Sequence, residues 1–161
     1  MLPYIRVARR GFGLEAARQY LPGEQRATVG EHAAVPGYPL RGLLSGLGFN
    51  MTTGNLSSLS GLGGDARYLQ ITAPVRPGNS GGPMLDLADN LMAMVVSRLA
   101  ATRMAKITGD IPQNVNLAIQ ANVLRTFLYA NSVDYDSARS DKPIAATATA
   151  NKAKGFTVLV E

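Results

Sequence analysis

The chain has 161 residues, of which 46% are hydrophobic and 17% charged, with a formal net charge of +5 and no cysteine. That length suits one domain with a sizeable core, and the lack of cysteine excludes a disulfide framework, a thiolate metal site and a cysteine nucleophile. No apolar run approaches the roughly 18 residues that span a bilayer, and the basic residues form no stripe interleaved with aromatics. We therefore expect no membrane span and no nucleic-acid partner, and the compartment stays open.

Short β-type segments separated by turn residues follow one another along most of the chain. Seventeen glycines and nine prolines favour many short strands over a helical bundle. Strands are predicted at residues 28–35, 51–60, 67–72, 84–87, 91–99 and 115–119. This run predicts an all-β fold, an antiparallel Greek-key β-barrel over residues 26–119.

The hydrophobic period changes after Gln120. Apolar residues from Val123 to Leu128 recur at helical spacing, which predicts a C-terminal helix near 121–130 with Asn122 as its N-cap. Residues 132–161 are interpreted as a linker, a weak helix over 145–154 and a terminal strand over 156–160. Residues 1–25 are ambiguous, since Leu2 to Ala8 suit a strand and Leu14 to Tyr20 suit a helical turn or two.

The segment with the clearest chemistry is Gly78-Asn79-Ser80-Gly81-Gly82-Pro83. Glycines on both sides of Ser80 indicate backbone that approaches a ligand closely or takes positive φ, as an exposed serine nucleophile with nearby oxyanion donors requires. The nucleophile elbow G-x-S-x-G needs a strand before the serine and a helix directly after it. Pro74 and Pro77 break any preceding strand, and Pro83 with a short apolar run follows, so the elbow is disfavoured.

The same six residues resemble the G-[DN]-S-G-G-P loop of chymotrypsin-like serine proteases. The flanks also resemble the bacterial branch related to the high-temperature-requirement proteases, in an ordered match that covers roughly residues 26–131. The segments that carry it are Gly37-Tyr38-Pro39-Leu40, Tyr68 to Thr72, Leu91 to Ser97, Asn116 to Ile119 and the helix from Asn122. The resemblance implies that residues 26–131 form the second, C-terminal barrel of a double barrel, and that residues 1–25 are a remnant of the first barrel or a connector from it. It also favours an extracytoplasmic location in a bacterium.

The resemblance also implies roles for individual residues in a serine endopeptidase that needs no cofactor or metal. Ser80 is the nucleophile, the N–H groups of Gly78 and Ser80 form the oxyanion hole, and Asn79 holds the loop. The residues implied to contact a polypeptide substrate are Pro74, Val75, Ser97, Arg98, Leu99, Asn116 and Ala118. The pocket segments carry no carboxylate, and Arg76 adjoins them, so we expect cleavage after valine, alanine or leucine and not after lysine or arginine.

The sequence offers no base for Ser80. In chymotrypsin-like enzymes histidine and aspartate precede the serine, whereas the one histidine here, His32, falls just before the Gly37-Tyr38-Pro39-Leu40 segment. Asp65, Asp86 and Asp89 are typical turn formers. The triad histidine and aspartate are therefore expected on a missing N-terminal barrel, and the chain alone is expected to be inactive. The alternative is a catalytically inactive protease-like domain that binds extended peptides by β-addition near Ser97.

Overall fold

The computed structural model describes residues 27–39, 48–96, 115–133 and 140–157, and within them the fold is built from six short strands. The strands are β1 (His32–Gly37), β2 (Asn50–Ser58), β3 (Tyr68–Ile71), β4 (Pro83–Leu85), β5 (Leu91–Val96) and β6 (Asn116–Gln120). A single 3-10 turn, Leu62–Gly64, lies between β2 and β3. Two helices follow the strands, α1 (Ala121–Ala130) and α2 (Ala146–Ala153).

The six strands close into one antiparallel barrel in the order β1-β2-β3-β6-β5-β4. Strands β4, β5 and β6 are a meander, and β3 returns beside β6 with Tyr68 opposite Ile119, which is the Greek-key arrangement. Ala34 opposite Leu85 joins β1 to β4 and completes the circle. The predicted all-β, antiparallel Greek-key barrel is confirmed.

The barrel interior is filled by side chains of unequal size, as a six-stranded barrel of short strands requires. Small residues such as Ala33, Ala93 and Ala118 lie against larger ones, and all three are fully buried. The rest of the buried cluster comprises Val35, Leu56, Leu69, Ile71, Ala73, Met84, Met92 and Val95. No helix in the described part of the chain combines the length and apolar character needed to cross a bilayer.

Two local predictions are corrected by the structure. Strand β1 begins at His32, not at residue 28, because residues 28–31 form a turn in which Glu31 N–H donates to the Thr28 carbonyl and Gly30 has φ 90°. Helix α1 begins one residue earlier than its predicted cap, with Gln120 as the N-cap residue and Asn122 inside the helix. The Gln120 side-chain amide donates to the carbonyls of Leu59 and Ala66 in the connection between β2 and β3, and it makes no bond to the helix.

Some predictions fall on residues outside the described ranges. These are the connector at 1–25, the strand beyond Val96, and the end of the chain after residue 157. Helix α2 lies within the span where the sequence suggested a weak helix. The boundaries of the 26–131 barrel unit stay a prediction.

The segment 140–157, here called the tail, is fixed to the β4–β5 hairpin. The Asn90 side chain and the Ser140 backbone exchange two hydrogen bonds of 2.8 and 2.9 Å, and Ile144 N–H donates to the Leu87 carbonyl at 2.8 Å. The Lys152 ammonium lies 3.4 Å from the Asp89 carboxylate, whose side chain is 2% exposed. The tail therefore supplies the counter-ion of a buried charge in the barrel.

We predict that Lys152→Met destabilises the barrel, because it leaves the Asp89 carboxylate buried without its cation. The expected loss is about 1 to 3 kcal/mol in the free energy of unfolding, measured by urea denaturation, because the lysine end of the pair is half-exposed and screened by solvent. Adding Asp89→Asn should recover most of it, since asparagine carries no charge and tolerates the φ of 64° at this turn position. Lys142→Met, at an exposed lysine of the same tail, is the matched control. Equal midpoints for the Lys152 and Lys142 variants would contradict the prediction.

Candidate active site

The serine loop begins with a β-turn over Arg76, Pro77, Gly78 and Asn79. Asn79 N–H donates to the Arg76 carbonyl at 2.9 Å, and Gly78 has φ 101°. Proline at the second position and a glycine of positive φ at the third are the pattern of a type II turn. A side chain at the third position would be strained, so Gly78 is required by the backbone conformation itself.

The Asn79 side chain closes this turn from inside the protein. Its Oδ1 accepts a hydrogen bond of 3.0 Å from Arg76 N–H, and the residue is only 2% exposed. Its Nδ2 is buried without a hydrogen-bond partner and packs directly against the end of β1, where a Cβ on Gly37 would lie 2.5 Å from it. The Asn79 side chain is therefore held by the hydrogen bond from Arg76 N–H on one side and by van der Waals contact with Gly37 on the other.

The second half of the loop is bonded to β5. Gly81 N–H donates to the Val95 carbonyl and Val95 N–H to the Gly82 carbonyl, both at 2.9 Å, while Gly82 N–H donates to the Asn79 carbonyl at 3.0 Å. A Cβ on Gly82 would lie 2.9 Å from the Asn79 carbonyl oxygen. Ser80 is exposed between these two anchored halves. The loop thus presents a hydroxyl to solvent on a backbone whose conformation is set on both sides.

Residues 73–75, which precede the loop, are held by side chains of β2 and β6. Thr52 Oγ1 donates to the Pro74 carbonyl at 2.7 Å, and Asn116 Nδ2 donates to the Ala73 carbonyl at 2.9 Å. A side chain on Gly54 would clash with the Ala73 backbone, so only glycine permits this crossing. Pro74 is exposed and Val75 is half-buried against the core. The predicted pocket residues Pro74, Val75 and Asn116 are thereby brought together.

Three residues support the site in a way that the sequence did not predict. They are Thr52, Gly54 and Gly37. An isolated glycine within a strand pattern marks a bulge or a close backbone approach, and Gly54 interrupts the hydroxyl-rich strand in that way. That signal was available in the sequence. The partner of each close approach was not, because it depends on which distant segment the fold brings to the glycine.

The remaining predicted substrate residues are placed as follows. Ala118 is fully buried in the core cluster, paired with Leu69 on one side and Val95 on the other. Its predicted role near the pocket stays a prediction. Ser97, Arg98 and Leu99 lie outside the described residues.

The structure does not bring His32 to Ser80. The loop meets β1 at its end, where a Cβ on Gly82 would lie 3.2 Å from the Pro36 carbonyl oxygen. His32 is four residues away along β1, which is about 13 Å at the rise of an extended strand. It lines a cavity of about 190 Å³ together with Asp86 and Ser140 at the opposite end of the barrel.

The aspartates named from the sequence have structural partners. The Asp65 carboxylate accepts hydrogen bonds from Arg67, whose pKa is raised by that hydrogen bond and by the charge of Asp65. Asp86 accepts backbone bonds of 2.7 and 2.8 Å from Ala88 and Asn90 in the β4–β5 turn. In the described ranges no group of three or more acidic, histidine or cysteine residues is arranged to hold a metal ion.

Comparison with known proteins identifies similarity to a protein family, to a curated protein and to a solved structure. A family model described as a trypsin-like peptidase domain matches residues 4–94, more than half of the chain. The uncharacterized protein y4bJ of Sinorhizobium fredii (strain NBRC 101917 / NGR234) is 43% identical over 132 residues, which cover 82% of this chain and 21% of that protein. The chain thus spans about a fifth of that curated relative. The crystal structure of the serine endoprotease from Yersinia pestis aligns over 67% of this chain and 32% of its own, with 22% identity and a TM-score of 0.48.

We predict that Gly37→Ala disturbs the serine loop, because the added methyl group would overlap the buried Asn79 amide. Overpacking of this kind costs about 1 to 3 kcal/mol in the free energy of unfolding. Gly48→Ala is the matched control, since a Cβ there meets nothing within 4 Å. Urea denaturation of both variants measures the difference. A Gly37→Ala midpoint equal to that of Gly48→Ala would show that Asn79 is not fixed by this contact.

Proposed function

This chain belongs to the trypsin-like peptidase domain family, and from that premise we propose that it supplies the nucleophile-bearing barrel of a serine endopeptidase. The observation that carries the proposal is the loop over residues 76–82. It exposes Ser80 between a turn closed by the buried Asn79 and a second half bonded to Val95. A pre-formed backbone of this kind is what acyl transfer requires, since donors must already point to the place where negative charge develops.

In the proposed reaction Ser80 Oγ attacks the carbonyl carbon of the scissile peptide bond and its proton passes to a general base. The N–H groups of Gly78 and Ser80 donate to the oxyanion of the tetrahedral intermediate. The intermediate collapses to an ester on Ser80 and releases the amine, which takes up the proton. Water then attacks the ester, the acid product leaves, and Ser80 regains its proton.

The base of this reaction comes, in the proposal, from a part of the protein that the chain does not cover. His32 is four residues along β1 from Pro36, where the loop meets that strand, and this separation of about 13 Å along an extended strand places its ring out of reach of the Ser80 proton. The match covers only 21% of the Sinorhizobium fredii protein, which supports the proposal that this domain works inside a longer protein. The 26–131 barrel unit would then dock beside a barrel that carries histidine and aspartate.

A second candidate is a catalytically inactive domain that binds extended peptides. The position of His32 favours it, because a serine without a base is a poor nucleophile. The two candidates differ in one requirement, namely whether a general base reaches Ser80 in the whole protein.

We predict that the 161-residue chain reacts weakly or not at all with a fluorophosphonate probe, while the longer protein that contains it is labelled strongly. Ser80→Ala should abolish labelling and peptide cleavage in the longer protein, and His32→Ala should leave both unchanged. Gel fluorescence and a quenched-peptide assay measure the two effects. An unlabelled longer protein that still binds peptides favours the second candidate, whereas loss of activity in His32→Ala would refute the assignment of the base.

We further predict that the longer enzyme cleaves after small aliphatic residues. Pro74 and Val75 offer an apolar wall and no carboxylate, so a buried lysine or arginine would leave its charge unpaired at a cost of several kcal/mol. A peptide library in which the one residue before the cut is varied over all amino-acid types measures the preference. A dominant signal for arginine or lysine would show that the pocket has been assigned to the wrong segments.

A further inference from the structure

Arg76 occupies the first position of the turn that leads into the serine. Its N–H donates to Asn79 Oδ1 at 3.0 Å and its carbonyl accepts from Asn79 N–H at 2.9 Å. The two ends of a β-turn lie within about 7 Å of each other between their Cα atoms, and Asn79 adjoins Ser80. The backbone of Arg76 is therefore fixed close to the reacting hydroxyl, while its side chain is exposed.

The charge of Arg76 is not balanced by the described part of the chain. The acidic residues in the described ranges are Glu31, Asp65, Asp86, Asp89 and Asp141. Asp65 pairs with Arg67 and Asp89 with Lys152. Glu31, Asp86 and Asp141 line the cavity near His32, at the opposite end of the barrel. None of these five carboxylates is bonded to the Arg76 guanidinium.

From this arrangement we infer that Arg76 is a specificity-determining residue that selects peptides with an acidic side chain within two residues of the scissile bond. The inference rests on the proposed function, since it concerns the substrate of the same serine. The apolar wall at Pro74 and Val75 receives the residue before the cut, and Arg76 acts on a neighbouring side chain. A planar guanidinium suits this task because it binds a carboxylate with two parallel hydrogen bonds.

The test uses the longer protein and pairs of peptides. In each pair, one peptide carries glutamate and the other glutamine at the same position, which is one of the four positions within two residues of the scissile bond. We expect kcat/KM for glutamate to exceed that for glutamine about fivefold at one position, as for an ion pair near a protein surface. Arg76→Gln should bring this ratio close to one, and Arg76→Glu should favour lysine at the same position. A peptide with its glutamate moved six residues away keeps the charge and should show no preference.

Arg67→Gln is the matched control, because it removes the same charge from an exposed arginine that is paired with Asp65. The glutamate preference should survive in that variant. A ratio near one at every position in the unaltered protein overturns the inference. So does a preference that persists in Arg76→Gln, or one that Arg67→Gln also removes.

A binding measurement distinguishes failure of this inference from failure of the proposed function. The Ser80→Ala variant of the longer protein is titrated with the same fluorescent peptides, and Kd is measured by anisotropy. If the unaltered protein cleaves no peptide, the proposed catalysis fails, and the ratio of Kd values then decides the role of Arg76. Equal Kd values for glutamate and glutamine peptides, or no binding of either, overturn the inference in that case. Cleavage that depends on Ser80 but ignores glutamate overturns only the role of Arg76.

Discussion

The site depends on one buried side chain, the amide of Asn79. Its oxygen closes the turn that begins at Arg76, and its nitrogen packs against the Cα of Gly37 at the end of β1. The same residue accepts the bond from Gly82 N–H that starts the second half of the loop. One residue therefore links the first strand of the barrel and the turn before Ser80 through its side chain, and the backbone after Ser80 through its carbonyl. Burial of Asn79 Nδ2 without a hydrogen-bond partner lowers the stability of the fold.

The barrel gives Asn79 its position by bringing three distant segments together. Strand β1 supplies Gly37, strand β5 supplies the Val95 backbone, and Gly54 in β2 lets the segment before the loop cross over it. Two of these contacts are possible only because glycine lacks a side chain. The conformation of the serine loop thus depends on the tertiary structure as well as on its own residues.

The sequence predicted the barrel and the loop because both leave local signals. Short β-rich segments between turn residues are visible without any structure, and Gly78-Asn79-Ser80-Gly81-Gly82-Pro83 combines glycines and a serine in a pattern that few other functions need. The N-cap of α1 was misplaced because the Gln120 side chain prefers the carbonyls of Leu59 and Ala66, more than fifty residues away in sequence. The sequence predicts a linker and a weak helix for the tail, but it does not predict the attachment through Asn90 and Lys152, since nothing local indicates which hairpin a helix will meet.

The separation of paired strands along the chain has a consequence for biosynthesis. Strand β1 meets β4 through Ala34 and Leu85, and β3 meets β6 through Tyr68 and Ile119, so each of these pairings joins residues about fifty positions apart. Such long-range pairings form slowly, because loop-closure entropy is spent before the contacts stabilise the chain. A nascent chain that has emerged only as far as Ser80 has neither β5 nor the closing strand β6 to hold the loop. Ser80 is therefore synthesised before the strand that anchors its loop through Val95, and the loop can take its final conformation only after β5 has joined the barrel.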